Sequence, residues 1–243
     1  MNPKKERFWE IDSLRGIAII SMIIIHIFYD LMYFHEIAGE IGSGILGILS
    51  FFTATAFLML VGISFTISYE KAAEEKKSFS KTYPKYIKRG LFILAGGFLI
   101  TLVSMILLPG GFIVFGILHL IGVSILLAPF FYKFRSSSLY IGIFFIAIGL
   151  LLASMNGPYF LLPIGIHPAD FYSYDYEPLF PWFGAVLIGM HFGSIFYPKG
   201  KRAFLLETKP GKLLSFLSFL GRNSLLIYFL HQPVLIMLIS LLH

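Results

Sequence analysis

Arg15, His26 and Asp30 lie within one long apolar run, LRGIAIISMIIIHIFYDLMYF, over 14–34. A helix through this run is long enough to cross a hydrocarbon core of about 30 Å. A charge near the middle of such a segment costs at least ~2.5–3.5 kcal/mol, so ionisable residues there point to function. At ~100° per residue, His26 returns to within about 20° of Arg15, and Asp30 follows one turn later on the same stripe. A cation, an imidazole and a carboxylate on one helix face are the parts of a proton-handling site. An aspartate four residues beyond a histidine can accept its ring N–H, fix its tautomer and raise its basicity. The expectation is therefore His26 as a general base oriented by Asp30. By rise alone, His26 lies about 18 Å beyond Leu14, just past the midplane, and Asp30 ~6 Å further.

Further candidates lie along the chain. His35 follows the run, beside Glu36. His119, in FGILHLIGVS, is flanked by Gly116 and Gly122, small residues that let another helix approach closely. Its expected place is seven residues inside a span, in the outer half. In GRNSLLIYFLHQP, Ser224, Tyr228 and His231 share a stripe, and Pro233 frees backbone carbonyls beside His231. Arg222, Asn223 and Ser224 surround an expected helix N-terminus, where free N–H groups, the helix dipole and a guanidinium suit a phosphate. His191 reads equally as a packing residue. His167 and Asp170 fall in the aromatic, acidic loop 155–178, a candidate lid or acceptor-binding surface.

The elements that must position these groups follow from composition. The chain is 57% hydrophobic and 13% charged, against about 25% charged in a soluble domain. The reading is all-α: a polytopic membrane helix bundle of about seven transmembrane helices, near 14–34, 45–69, 87–108, 113–132, 138–154, 179–196 and 216–241. Each run is apolar almost all round. No repeat divides the chain, so one domain over 1–243 is expected. The absence of cysteine excludes disulfides, thiolate metal sites and a cysteine acyl-enzyme. The first run is too long for a signal peptide and reads as a true span.

With seven spans, all 19 Lys and Arg fall on one side of the membrane. The opposite loops carry Glu36, Glu40, Asp170, Asp175 and Glu177. The positive-inside rule then puts the N-terminus in the cytoplasm and the C-terminus outside. The net charge of +6 faces anionic lipid and an anionic cofactor rather than nucleic acid. A multi-pass protein of the cell membrane is expected, in the manner of a prokaryotic plasma membrane, and a homodimer stays open.

Histidines on several membrane helices leave three chemistries open. Haem or metal ligation would favour paired histidines at matched depths, and the sequence offers no two-histidine helical motif. A proton-coupled small-solute transporter would use intramembrane His and Asp as a relay, but the halves carry no matched broken helices. Group transfer would bind a phosphorylated donor at the basic face and deprotonate an acceptor near the other.

The opening EIDSLRGIAIISMIIIHIFYDL holds Arg15, ten residues, then His26, and resembles the first-helix R-x10-H pattern of the acyltransferase 3 family of membrane acyltransferases. The segments IDSLRGIAI, FGILHLIGVSILL, PLFPWFGAVLIGM and NSLLIYFLHQP, in this order, are similar to the heparan-α-glucosaminide N-acetyltransferase-like membrane proteins. That resemblance implies a multi-helix acyltransferase fold, cytoplasmic acetyl-CoA as donor, and transfer to a sugar amine or hydroxyl at the opposite face; with no two-histidine motif in the sequence, no metal or haem is expected. His26 matches the R-x10-H histidine. His35 lies near where lysosomal members are expected to keep their active histidine, while the place of His26 resembles an asparagine there. Both remain candidates for the base. Arg15, Arg222, Asn223 and Ser224 would meet the donor phosphates, and His119 or His231 would hydrogen-bond the thioester oxygen. Direct transfer and an acetyl-histidine intermediate both fit.

Overall fold

A computed structural model describes residues 7–34, 43–75, 78–108, 111–206 and 209–241. Among them the fold is all-α, with no β-strand. Helices α1 (Trp9–Phe34), α2 (Gly44–Glu74), α3 (Phe79–Leu107), α4 (Ile117–Phe131), α5 (Ser138–Leu152), α6 (Leu179–Phe196), α7 (Lys212–Arg222) and α8 (Ser224–Ser240) follow in order. Large apolar side chains such as Phe52, Leu99, Ile106 and Leu150 are exposed along them, as lipid-facing helices require.

Among the described residues, five helices are long and apolar enough to span a membrane, or six if α7 and α8 together make one span. The expected count of seven is not reached on length. Helix α5 has 15 residues, about 22 Å by helical rise, short of the core thickness. The run expected over 216–241 is two helices bent by 82° around Asn223. The span expected from 113 becomes helical only at Ile117. The segment 70–86, between the expected second and third spans, is largely helical, because α2 runs on to Glu74 and α3 starts at Phe79, and it buries Tyr86.

The chain forms two compact units, Met1–Leu60 with Leu206–His243, and Val61–Leu205. In the first unit α1 packs most extensively on α7. The contact is made by small residues: a Cβ on Gly16 would strike the Leu217 carbonyl, and one on Gly221 would strike the Asp12 carbonyl. The Ser13 hydroxyl donates to the Leu214 carbonyl at 3.0 Å. Helix α7 thus turns its small residues to α1 and leaves Leu213, Phe216 and Phe219 exposed, the inside-out arrangement that lipid favours. Gly221→Ala should therefore lower stability by about 1–3 kcal/mol, an overpacking cost read as a reduced Tm in detergent.

In the second unit α5 meets α6 at Gly142 and Gly184, where each glycine faces the other's carbonyl. Helices α3 and α4 approach through Gly90, Gly97 and Gly122. One end of this unit is an aromatic cluster of Phe65, Tyr69, Tyr86 and Tyr132, with Tyr69 and Tyr132 ring centroids 4.1 Å apart. There the Tyr132 hydroxyl donates to Glu70 at 2.6 Å, and Arg135 Nε lies 3.5 Å from the same carboxylate.

Candidate active site

The first unit brings four chemistry-bearing side chains together along the seam of α1 and α8. His26 and His231 meet edge to face, with ring centroids 4.8 Å apart. One turn beyond His26, Gln232 Nε2 donates to Asp30 Oδ1 at 2.7 Å. Asp30 is only 7% exposed. Its hydrogen bond comes from Gln232 rather than from His26, which corrects the expected His26–Asp30 pair. The two residues do share a helix face, but the carboxamide of a facing helix arrives with its donor already aimed at the short aspartate side chain, while His26 turns its ring toward His231 and Tyr29.

His231 Nδ1 lies 2.6 Å from the Tyr228 carbonyl. A carbonyl only accepts, so Nδ1 carries the hydrogen and Nε2 holds the lone pair. That assignment corrects the donor role expected of His231 toward a thioester oxygen. Three buried acceptors of this cluster lack a hydrogen-bond partner among the described residues: His231 Nε2, Asp30 Oδ2 and Gln232 Oε1. Unpaired buried acceptors are expensive, about 1–3 kcal/mol each. A cluster of them is fitted to a molecule that brings N–H or O–H donors.

The expected phosphate site divides differently. Arg15 NH1 donates to Asp12 at 2.8 Å and approaches the Gly221 carbonyl at 3.4 Å, so this guanidinium ties the end of α7 to α1. Arg222 is exposed in the last turn of α7, Asn223 is the break, and Ser224 begins α8. The Asn223 amide donates back to the Phe219 carbonyl at 2.9 Å, capping α7 instead of α8. His35 lies outside the described residues.

In the second unit, His119 is the third residue of α4 rather than seven residues inside a span. It is 2% exposed, packs between Phe98 and Phe115, and its Nε2 is 3.5 Å from the Thr101 hydroxyl. A Cβ on Gly97 would press on its ring, so His119 fills the seam between α3 and α4. His191 Nδ1 is buried without a partner among the described residues. His167 Nδ1 donates to the Pro168 carbonyl at 2.9 Å, and its ring packs on Phe171 and Tyr176 within the loop. Asp170 lines an open cavity of about 260 Å³ with Tyr159, Phe171 and Tyr172. A larger cavity, about 430 Å³, lies among Tyr69, Pro129, Phe130, Tyr132, Lys133 and Arg135. No group of three His, Cys, Asp or Glu that could hold a metal occurs among the described residues.

Sequence reasoning missed Gln232, although its place beside His231 and before Pro233 marks it as an amide inside an apolar helix. It also missed the Asp12–Arg15 pair, legible as an i,i+3 ion pair. The role of Asp175 was not legible. Its carboxylate accepts the Ile117 N–H at 3.1 Å, capping α4 from 58 residues away. Burial pushes Asp175 up from 3.8 to about 6, and pushes Glu177 well above its ordinary value with the Asp175 charge adding to it. The folded form therefore binds more protons than the unfolded chain between these values for Asp175. Its contribution to stability is present below pH 3.8 and is lost as pH rises through about 6. The gap corresponds to roughly 3 kcal/mol. Asp175→Asn should flatten this slope, measured as the dependence of Tm on pH.

A family model described as heparan-alpha-glucosaminide N-acetyltransferase, catalytic, matches residues 7–233. The chain belongs to this family. No curated protein and no solved structure gives a significant match. Membership makes the chain a membrane acetyltransferase, and the match runs through every side chain of the α1–α8 cluster.

Proposed function

We propose that this N-acetyltransferase family member moves an acetyl group from cytoplasmic acetyl-CoA to a sugar amine or hydroxyl at the opposite face of the cell membrane. The observation that carries this reading is the His26–His231 pair, set in apolar helices beside buried acceptors that await hydrogen-bond donors. An amino sugar supplies such donors, and an imidazole is the side chain best suited to take a proton near neutral pH. The donor side of this proposal is the one on which the seven expected runs would gather the Lys and Arg residues. Arg222 is the exposed cation nearest the cluster in sequence, while Arg15 and Asn223 hold the frame around it. His35 is the second candidate for the base. The family match crosses both compact units, which supports one catalytic domain over the chain.

The test is purified protein in lipid nanodiscs with radiolabelled acetyl-CoA and a panel of amino sugars and polyols. Acetylated product is expected. Absence of both CoA binding and turnover would end the reading, and solute uptake into proteoliposomes without acetyl-CoA would replace it with transport.

A further inference from the structure

We infer that His231, through Nε2, is the atom that takes the acceptor's proton, with Gln232 and Asp30 positioning the acceptor beside it. The inference rests on the acetyl-transfer reading above and names the group within it.

A general base in an apolar site needs a lone pair in a fixed direction, on an atom that no protein donor already occupies. His231 meets both conditions. Its Nδ1–H is tied to the Tyr228 carbonyl one turn back on the same helix, so the ring is locked and the lone pair is confined to Nε2. Nε2 is buried and has no partner among the described residues. His26 has no such lock: its ring contacts are the edges of Tyr29 and His231.

The residues around His231 add direction. Gln232 is the next residue, and its amide nitrogen is committed to Asp30 at 2.7 Å. That bond turns Oε1 of Gln232 into a bare acceptor, and Asp30 Oδ2 is another. The buried polar atoms of the seam that lack a partner among the described residues are therefore all acceptors. A ligand built of acceptors, such as a carboxylate or phosphate, would face these three lone pairs against only the second N–H of Gln232 and the ring N–H of His26. An amine or vicinal hydroxyls would satisfy them.

In the transfer step, the acceptor nitrogen or oxygen forms a bond to the acetyl carbon of acetyl-CoA, and the carbon–sulfur bond breaks with its electron pair going to sulfur. The proton lost by the acceptor goes to Nε2 of His231, and the CoA thiolate finally takes it. Nothing is oxidised or reduced. His26, edge-on to the His231 ring, packs against the imidazolium formed in between.

His231→Asn tests this, because the asparagine amide can keep the bond to the Tyr228 carbonyl while Nε2 is removed. Transfer should fall at least ~100-fold in kcat, with KM for acetyl-CoA near wild type. Added imidazole should restore part of the activity of His231→Ala. Histidine labelled with nitrogen-15 should show, by NMR in nanodiscs, the Nδ1–H tautomer for His231. An Nε2–H tautomer, or a His231→Asn enzyme as active as wild type, overturns the inference and leaves the acetyl-transfer reading standing. A wild-type protein that acetylates nothing overturns both.

Discussion

Replacing His26 by alanine is expected to lower kcat at least ~100-fold while acetyl-CoA still binds with near wild-type affinity. The reason is location. His26 lies in the interior of α1 against His231, whereas Arg222, the exposed cation that would meet the donor phosphates, lies at the end of α7. Alanine removes the whole edge-to-face contact and leaves the His231 ring held by its Tyr228 bond. His26→Phe separates packing from chemistry. Phenylalanine restores an aromatic edge against His231 but carries no nitrogen. If His26 serves only as packing, the phenylalanine variant regains most of the lost activity. If its nitrogen handles the proton, both variants are inactive. Should His35→Ala abolish transfer and His26→Ala spare it, the base is His35.

The second large effect concerns Gln232. Gln232→Leu removes the donor from Asp30 and leaves a carboxyl group, itself 7% exposed, with both oxygens unpaired. Losing one partner of a buried polar pair exposes the full desolvation cost of the other, about 1–3 kcal/mol or more for an ionised group. Tm in detergent should drop accordingly, and transfer should be lost. The double variant Asp30→Leu with Gln232→Leu should recover much of the stability, because an apolar pair of similar size needs no donors. It should not recover transfer. A double-mutant cycle on Tm and on kcat therefore separates the structural cost of the pair from its use, provided the coupling exceeds the ~0.3–0.5 kcal/mol by which independent sites fail to add.

Much of the architecture was legible because lipid imposes a simple rule. A backbone in hydrocarbon must satisfy its own hydrogen bonds, so long apolar runs become helices, and their ionisable residues stand out. That is why α1, α2, α3 and α6 lie close to their expected places, and why Arg15, His26, Asp30 and His231 could be singled out. Apolar run length failed where the chain bends within one run. The break at Asn223 falls on the polar Arg222, Asn223 and Ser224, and α4 starts late because Asp175 supplies its cap from a distant loop. The first signal is local but too short to interrupt the run, and the second is not local.

The sequence by itself determined that this chain is a helical membrane protein of an acetyltransferase family, with imidazoles and a carboxylate on helix faces that must be buried. Periodicity within one helix decides which side chains share a face, and composition decides what surrounds them. Only the tertiary structure decided their partners. Asp30 could bond to His26 one turn away or to any donor on a facing helix, and the packing of α8 on α1 brought Gln232 instead. The same packing set His231 against His26, and the Tyr228 carbonyl chose which nitrogen of His231 keeps its lone pair. A hydrogen bond is fixed by distance and angle between groups far apart in the chain, and helical spacing carries no information about those.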